Sequence, residues 1–194
     1  MFNGIIFNRG IVQSIKKTKS SSLVEIKSNL KISKKDIGCS ISCNGVCLTL
    51  IAVKNKSLFF YLSLETLKRS NFKYLVKGDH INMEKSLKYG DTISGHFVQG
   101  HVDTTAKINK IKIIDKSWFY KIMINKKYIK FFSQKASINI NGVSLTISNI
   151  YSNIIEFTVI PHTLQLTNLS RLKQGSIVNI EIDILSKYLT KLNS

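Results

Sequence analysis

The sequence predicts an all-β protein in which one unit of roughly a hundred residues is written twice, a length that suits a self-contained domain. Three observations carry this reading. Asn44-Gly45-Val46-Cys47-Leu48-Thr49-Leu50 returns 97 positions later as Asn141-Gly142-Val143-Ser144-Leu145-Thr146-Ile147, with five of seven residues identical. The same offset pairs Ser40 with Ser137, Thr66-Leu67 with Thr163-Leu164, Asn71 with Asn168, and Gly78, Asn82 and Glu84 with Gly175, Asn179 and Glu181, while an offset of 96 pairs Gly4 with Gly100. Short apolar runs also recur between Ser, Asn, Gly and Lys clusters at roughly 8–12-residue spacing, the signature of a small antiparallel barrel or sandwich.

Each element follows from local chemistry. Asn-Gly favours two consecutive residues at positive φ, so both heptapeptides read as tight hairpins. Strands are expected near 2–15, 22–28, 39–43, 46–53, 57–62 and 80–84, with one helix over 64–73 capped by Ser63. The second copy repeats the plan near 98–113, 118–124, 136–140, 143–150, 154–159 and 177–182, with a short helix after Pro161, the chain's single proline. The turn at Gly90-Asp91 makes 85–94 the natural joint, giving units of 1–96 and 97–183 and a tail of 184–194. In that tail Leu185, Tyr188, Leu189 and Leu192 form one apolar helical stripe, which needs a partner surface on this chain's own barrels or on a neighbouring subunit.

The 194 residues are 43% hydrophobic, enough for a core in each half. No run approaches the ~18 apolar residues of a membrane span, and no basic, apolar and small-residue leader opens the chain, so a soluble cytoplasmic protein is expected. Cys39, Cys43 and Cys47 have no zinc or iron–sulfur spacing and read as free thiols of a reducing compartment. The net charge of +18 raises a nucleic-acid-binding barrel as a rival. The lysines are scattered rather than interleaved with aromatics, so the charge reads as solvated surface and neither nucleic acid nor membrane is an expected partner.

The repeat places three segments at equivalent points of each unit: the glycine of the first strand, the N-G-V-x-L-T hairpin, and the strand-to-helix corner. Small residues, apolar Leu48 and Leu145, and the hydroxyls of Thr49, Thr146, Thr66 and Thr163 suit a flat heteroaromatic ligand. Cys47 stands opposite Ser144 in the repeat, and His101 opposite Ile5. On a strand His96 and His101 would face opposite sides, which argues against a metal site, whereas His101 and Asp103 would share a face, so that Asp103 could orient the imidazole.

Met1-Phe2-Asn3-Gly4-Ile5-Ile6, the two hairpins, Gly95-His96-Phe97-Val98-Gln99-Gly100-His101-Val102-Asp103 and Ile160-Pro161-His162-Thr163-Leu164 together resemble riboflavin synthase of the alpha-chain type. The resemblance covers nearly the whole chain, in order. It implies two six-stranded Greek-key barrels and a homotrimer joined through the C-terminal helix. It also implies dismutation of two molecules of 6,7-dimethyl-8-ribityllumazine into riboflavin and 5-amino-6-(D-ribitylamino)uracil, without cofactor or metal. Lumazine synthase is a further partner that it leaves open, and a non-catalytic lumazine- or flavin-binding antenna protein of the same superfamily is the alternative.

Carried over residue by residue, the first pocket uses Gly4, Ile5, Ile6, Ser40, Cys47, Leu48 and Thr49 with the corner Tyr61, Leu62, Ser63, Leu64, Glu65 and Thr66. The second uses Gly100, His101, Val102, Lys135, Ser144, Leu145 and Thr146 with the corner Val159, Ile160, Pro161, His162, Thr163 and Leu164. His101 is expected to relay the proton, with Cys47 and Ser40 assisting addition to the acceptor ring, and Asp183 to take a structural or ribityl-binding role.

Overall fold

In the computed structural model, which describes residues 1–192, the chain folds into two closed antiparallel barrels of six strands. The first consists of β1 (Asn8–Lys17), β2 (Ser21–Ser28), β3 (Ser40–Cys43), β4 (Val46–Lys54), β5 (Ser57–Ser63) and β6 (His80–Lys85). The second consists of β7 (Thr104–Ile114), β8 (Ser117–Met123), β9 (Ser137–Ile140), β10 (Val143–Tyr151), β11 (Ile154–Val159) and β12 (Ile177–Ile182). Around the first barrel the order is β1-β2-β5-β4-β3-β6, and the second repeats it, so both are Greek keys.

Both hairpins form as expected, with Asn44 and Gly45 at φ 47° and 76° and Asn141 and Gly142 at 48° and 84°. Alternation then sorts the side chains: Val46, Leu48 and Leu50 of β4 and Leu58, Phe60 and Leu62 of β5 fill the first barrel. Register shifts fall at matching places in both copies, between Val12 and Ser14 and between Ile108 and Lys110, and again between Leu50 and Ala52 and between Ile147 and Asn149. Such bulges bend a strand around a barrel corner.

Two expectations are corrected. The helix expected over 64–73 is α1 (Leu64–Arg69) followed by a separate 3-10 turn, Asn71–Tyr74. Extended Ser70 interrupts it, donating its hydroxyl to Thr66 O and accepting from Phe72 N–H. Ser63 does cap α1, accepting from Thr66 N–H at 3.1 Å, and α2 (Pro161–Leu166) shows the same break at Thr167. The first strands begin at Asn8 and Thr104, not at 2 and 98. Gly4 and Gly100, at φ 73° and 79°, turn the chain out of the ladder.

Those freed segments cross to the other barrel. Phe2 and Val98 pair where they pass each other, Ile6 packs in the core of the second barrel, and Val102 packs against the core of the first. A buried carboxylate anchors each crossing. Glu84 accepts the N–H groups of Asn3 and Gly4 at 2.8 and 3.0 Å, and Glu181 those of Gln99, Gly100 and His101 at 2.6–3.0 Å. Between the barrels Asn82 Nδ2 donates to Asn141 O at 2.8 Å, and Asn179 Nδ2 donates to Asn44 O at 2.9 Å.

Burial pushes the Glu84 carboxyl up to about 7, against the pull of the N–H groups of Asn3, Gly4 and Ile5, and burial also raises Glu181. A raised folded-state value means that the native protein holds a proton that the unfolded chain releases. This contribution is therefore complete below the ordinary value of 4.5 and is lost as pH climbs through about 7. The stability of the native protein relative to Glu84→Gln, read by urea unfolding, is expected to fall across that window by ~3 kcal/mol for a shift of this size. A constant difference between the two proteins from pH 5 to pH 8 would contradict it.

The C-terminal helix α3 (Ile184–Leu192) lies against the second barrel through Ser186, which donates to Phe131 O, and Lys187, whose Nζ is 2.8 Å from Asp103 Oδ2. The tail expected over 184–194 thus ends, in its last two positions, outside the described residues. Asp183 caps the helix, accepting from Leu185 N–H at 2.9 Å. The apolar stripe points away from both barrels, with Tyr188 63%, Leu189 61% and Leu192 81% exposed.

Candidate functional site

The strand pairing leaves a split in each barrel wall. β4 pairs with β5 only from Leu50 onward, through Leu50 and Phe60, while its stretch 46–49 pairs with β3 on the other side. On β5, Tyr61, Leu62 and Ser63 pair with β2 alone. Among the described residues the facing edges of 46–49 and 61–63 therefore have no ladder between them. In the second barrel β10 meets β11 from Ile147, while 143–146 pair with β9 and Val159 with β8. Unpaired strand edges present backbone N–H and C=O groups to whatever enters.

The crossed segments close these splits from the far barrel, which changes how the predicted site residues group. Cys47 N–H donates to Gly100 O, and Ser144 N–H donates to Gly4 O, both at 2.8 Å. The first slot therefore combines Cys47, Leu48, Thr49 and the corner 61–66 with Gly100, His101 and Val102. The second combines Ser144, Leu145, Thr146 and the corner 159–164 with Gly4, Ile5 and Ile6. The sequence reading put each glycine with its own repeat's hairpin. The geometry exchanges them, and sets the backbone next to His101 against Cys47, on the strand whose Thr49 pairs with Ser40.

Alternation decides which side chains reach a slot. Ser40 lies opposite Thr49 in the ladder, so it shares a face with Thr49 and Cys47, outside the barrel core. Leu48 and Leu62 are buried inside, Leu145 packs partly against the second core, and Ile6, Val159 and Leu164 are core residues as well. They offer backbone rather than the apolar faces expected of Leu48 and Leu145. Tyr61, Leu64, Ile160, Pro161 and His162 are exposed around the corners. Ser63 and Thr66 hold each other at 3.0 Å, Thr163 O accepts from Thr167 N–H, and Glu65 forms an ion pair with Arg69 along α1. Lys135 occupies an exposed turn at φ 70°, its N–H donating to Ile147 O.

The stretch 95–103 is not a ladder strand, and its histidines are separated by burial rather than by alternation. His101 is exposed, whereas His96 is 9% exposed with its Nδ1 2.7 Å from Ser144 Oγ. Asp103 does not hold His101: its Oδ2 accepts from Ile182 N–H at 2.8 Å and pairs with Lys187. All three cysteines are free; burial pushes the Cys43 thiol up, and Cys47 is half-buried. A cavity of about 480 Å³ opens elsewhere, at the seam between the barrels, lined by residues such as Asn71, His80, Asn168 and Arg171 and by none of the predicted site residues.

Sequence reasoning missed the anchoring by Glu84 and Glu181 and the contact of His96 with Ser144. The two glutamates did carry a signal, since they recur at the repeat offset.

Comparison with known proteins agrees with the duplicated frame. The lumazine binding domain family matches twice, over residues 3–86 and 99–183. Riboflavin synthase of Photobacterium leiognathi is 38% identical over 193 residues, 99% of this chain and 88% of that protein. Riboflavin synthase of Bacillus subtilis (strain 168) is 34% identical over 189 residues, 97% of this chain and 88% of its own length. Among solved structures, LumP complexed with riboflavin superposes with TM-score 0.83 at 26% identity, covering 94% of this chain and 99% of that one. LumP complexed with 6,7-dimethyl-8-(1'-D-ribityl) lumazine gives 0.81 at 25%, covering 93% and 98%. With both halves matched and identity sustained from end to end, the chain belongs to the lumazine-binding, riboflavin synthase family.

Proposed function

We propose that the chain is a riboflavin synthase, catalysing transfer of a four-carbon unit between two molecules of 6,7-dimethyl-8-ribityllumazine to give riboflavin and 5-amino-6-(D-ribitylamino)uracil. The observation that carries this is the doubled slot: a reaction between two copies of one molecule calls for two similar ring sites, and this chain has two, built alike. The riboflavin synthases that it resembles over nearly its full length favour the enzyme over a non-catalytic binding protein.

Each slot suits a flat heteroaromatic ring because its wall is strand edge, whose N–H and C=O groups match the ring's own acceptors and donors. The methyl group of the lumazine ring is itself acidic, since its carbanion delocalises into the ring, so no strong base is required of the protein. Fixing two rings in register supplies up to roughly 7–11 kcal/mol relative to free encounter. His101 relays the proton in the first slot, where Cys47 and Ser40 assist addition to the acceptor ring. No metal or cofactor is called on.

The two slots meet in pairs between neighbouring copies of a homotrimer. The exposed stripe of α3 supports this, since it is the apolar face left uncovered beside the second slot's barrel. Replacing Leu185 and Leu189 with lysine is expected to give monomers by light scattering and to lower turnover at least about tenfold, as the paired rings lose their fixed approach. A monomeric variant with full turnover would sink the shared-site arrangement.

The test of the reaction is direct. Purified protein mixed with 6,7-dimethyl-8-ribityllumazine should develop flavin fluorescence while consuming two lumazines for each riboflavin formed. Tight binding without turnover would instead identify a binding protein, and no binding at all would remove the reading.

A further inference from the structure

His96 is used by nothing above, yet its surroundings are unusual. The ring is buried, its Nδ1 lies 2.7 Å from Ser144 Oγ, and its Nε2 is buried with no hydrogen-bond partner among the described residues. It has little freedom to move. The His96 N–H donates to Asn3 O at 3.3 Å, the N–H of neighbouring Gly95 donates to Asn3 Oδ1 at 2.8 Å, and Asn3 is itself anchored on Glu84. A Cβ at Gly95 would lie 2.1 Å from Asn3 O and 3.0 Å from Ser144 Cβ, so glycine at 95 lets the crossing that carries His96 pack closely on both Asn3 and Ser144.

A neutral imidazole has one donor nitrogen and one acceptor nitrogen. Burial favours this neutral form, lowering the proton affinity of His96 against the charge of Asp183. If the proton sat on Nε2, a buried N–H would be orphaned, a rarer condition in folded proteins than an unmatched acceptor. The proton therefore sits on Nδ1, and the Nδ1–H donates to Ser144 Oγ. A hydroxyl that accepts from one side has its single hydrogen left to give elsewhere.

We propose that His96 is a positioning residue: by donating to Ser144 Oγ it turns the Ser144 hydroxyl hydrogen into the second slot, where it donates to a carbonyl oxygen or ring nitrogen of the bound heteroaromatic. The inference rests on that slot holding a lumazine ring, as read above. It also separates the two slots chemically. Ser144 is a directed donor, whereas its counterpart Cys47 carries only the weak donor of a thiol.

The proton's place can be read without ligand. In long-range proton–nitrogen spectra of nitrogen-15-labelled protein, the His96 signals, identified by their absence in His96→Asn, should show a neutral ring protonated at Nδ1. An Nε2-protonated ring would overturn the proposal. Its consequence is read in lumazine affinity and turnover. His96→Leu should weaken one of the two lumazine sites and lower turnover by about tenfold, the effect of one positioned hydrogen bond. His96→Asn, whose amide NH₂ can occupy the Nδ1 position, should recover to within about threefold of the native protein. In a Ser144→Ala background His96→Leu should add less than about twofold, because a residue acting only through Ser144 has nothing left to orient. Equal losses in His96→Asn and His96→Leu, or a full loss persisting without Ser144, would reduce His96 to packing. Should the native protein bind lumazine but form no riboflavin, the proposed reaction fails while the affinities still decide the role of His96.

Discussion

Replacing Gly100 with alanine is expected to cut riboflavin formation by about a hundredfold or more while leaving both barrels folded. At φ 79° an alanine is strained by ~1–2 kcal/mol. Its Cβ would also stand 2.6 Å from Cys47 Cβ and 2.8 Å from Cys47 N, both fixed by the β4 ladder. Neither neighbour is a flexible chain end, so the segment carrying His101 must lift off the first slot and break the bond from Cys47 N–H to Gly100 O. A displacement of about 1 Å between reacting groups is enough for a loss of that size. Gly4→Ala should act alike on the second slot, where Ser144 Cβ is 2.8 Å away. Gly78→Ala is the control, with a similar φ of 93° and open space around its Cβ, so it should retain turnover. Turnover measured on all three decides the matter, and an active Gly100→Ala protein would show that the crossed segments do not complete the slots.

Asn179→Leu should destabilise the chain by about 3–5 kcal/mol, read as a shifted midpoint in urea. Asn179 is buried at the seam, where Nδ2 donates to Asn44 O at 2.9 Å and Oδ1 accepts from Asn71 N–H at 2.6 Å. Leucine fills a similar volume but leaves Asn44 O and the half-buried Asn71 N–H without their partner at the seam, and each buried group left unmatched costs about 1–3 kcal/mol. Because Asn44 belongs to the hairpin that carries Cys47, a loosened seam is also expected to weaken the first slot. Gln134→Ala, which removes an exposed bond to Ser148 O, should cost under ~1 kcal/mol. Comparable midpoints for the two variants would contradict the role of the asparagine seam.

Much of this architecture was legible before any coordinates. Asn-Gly chemistry located both hairpins, period-two alternation located most strands, and the offset of 97 announced twin barrels. Two boundaries were not legible. Ser70 splits the helix expected over 64–73, and Thr167 makes the matching break after the short helix at Pro161, because a hydroxyl that bonds back to the preceding turn competes with helix continuation, and period alone does not show which option wins. The segments 2–7 and 98–103 read as the starts of strands because their apolar residues fit the ladder's period, and only the turned-out glycines reveal that they leave it.

The amino-acid sequence by itself determined the β class, the duplication, the hairpin turns and the pool of residues from which the slots are made, since all of these rest on contacts between near neighbours. Tertiary structure alone decided which glycine closes which slot, that His96 holds Ser144, that Asp103 serves Lys187 rather than His101, and that the stripe of α3 faces outward. The reason is a degeneracy. Two copies of one unit offer nearly the same surface to the same segment, so the pattern of residues fits either partner, and only the path of the chain through space, pinned by Glu84 and Glu181, selects between them.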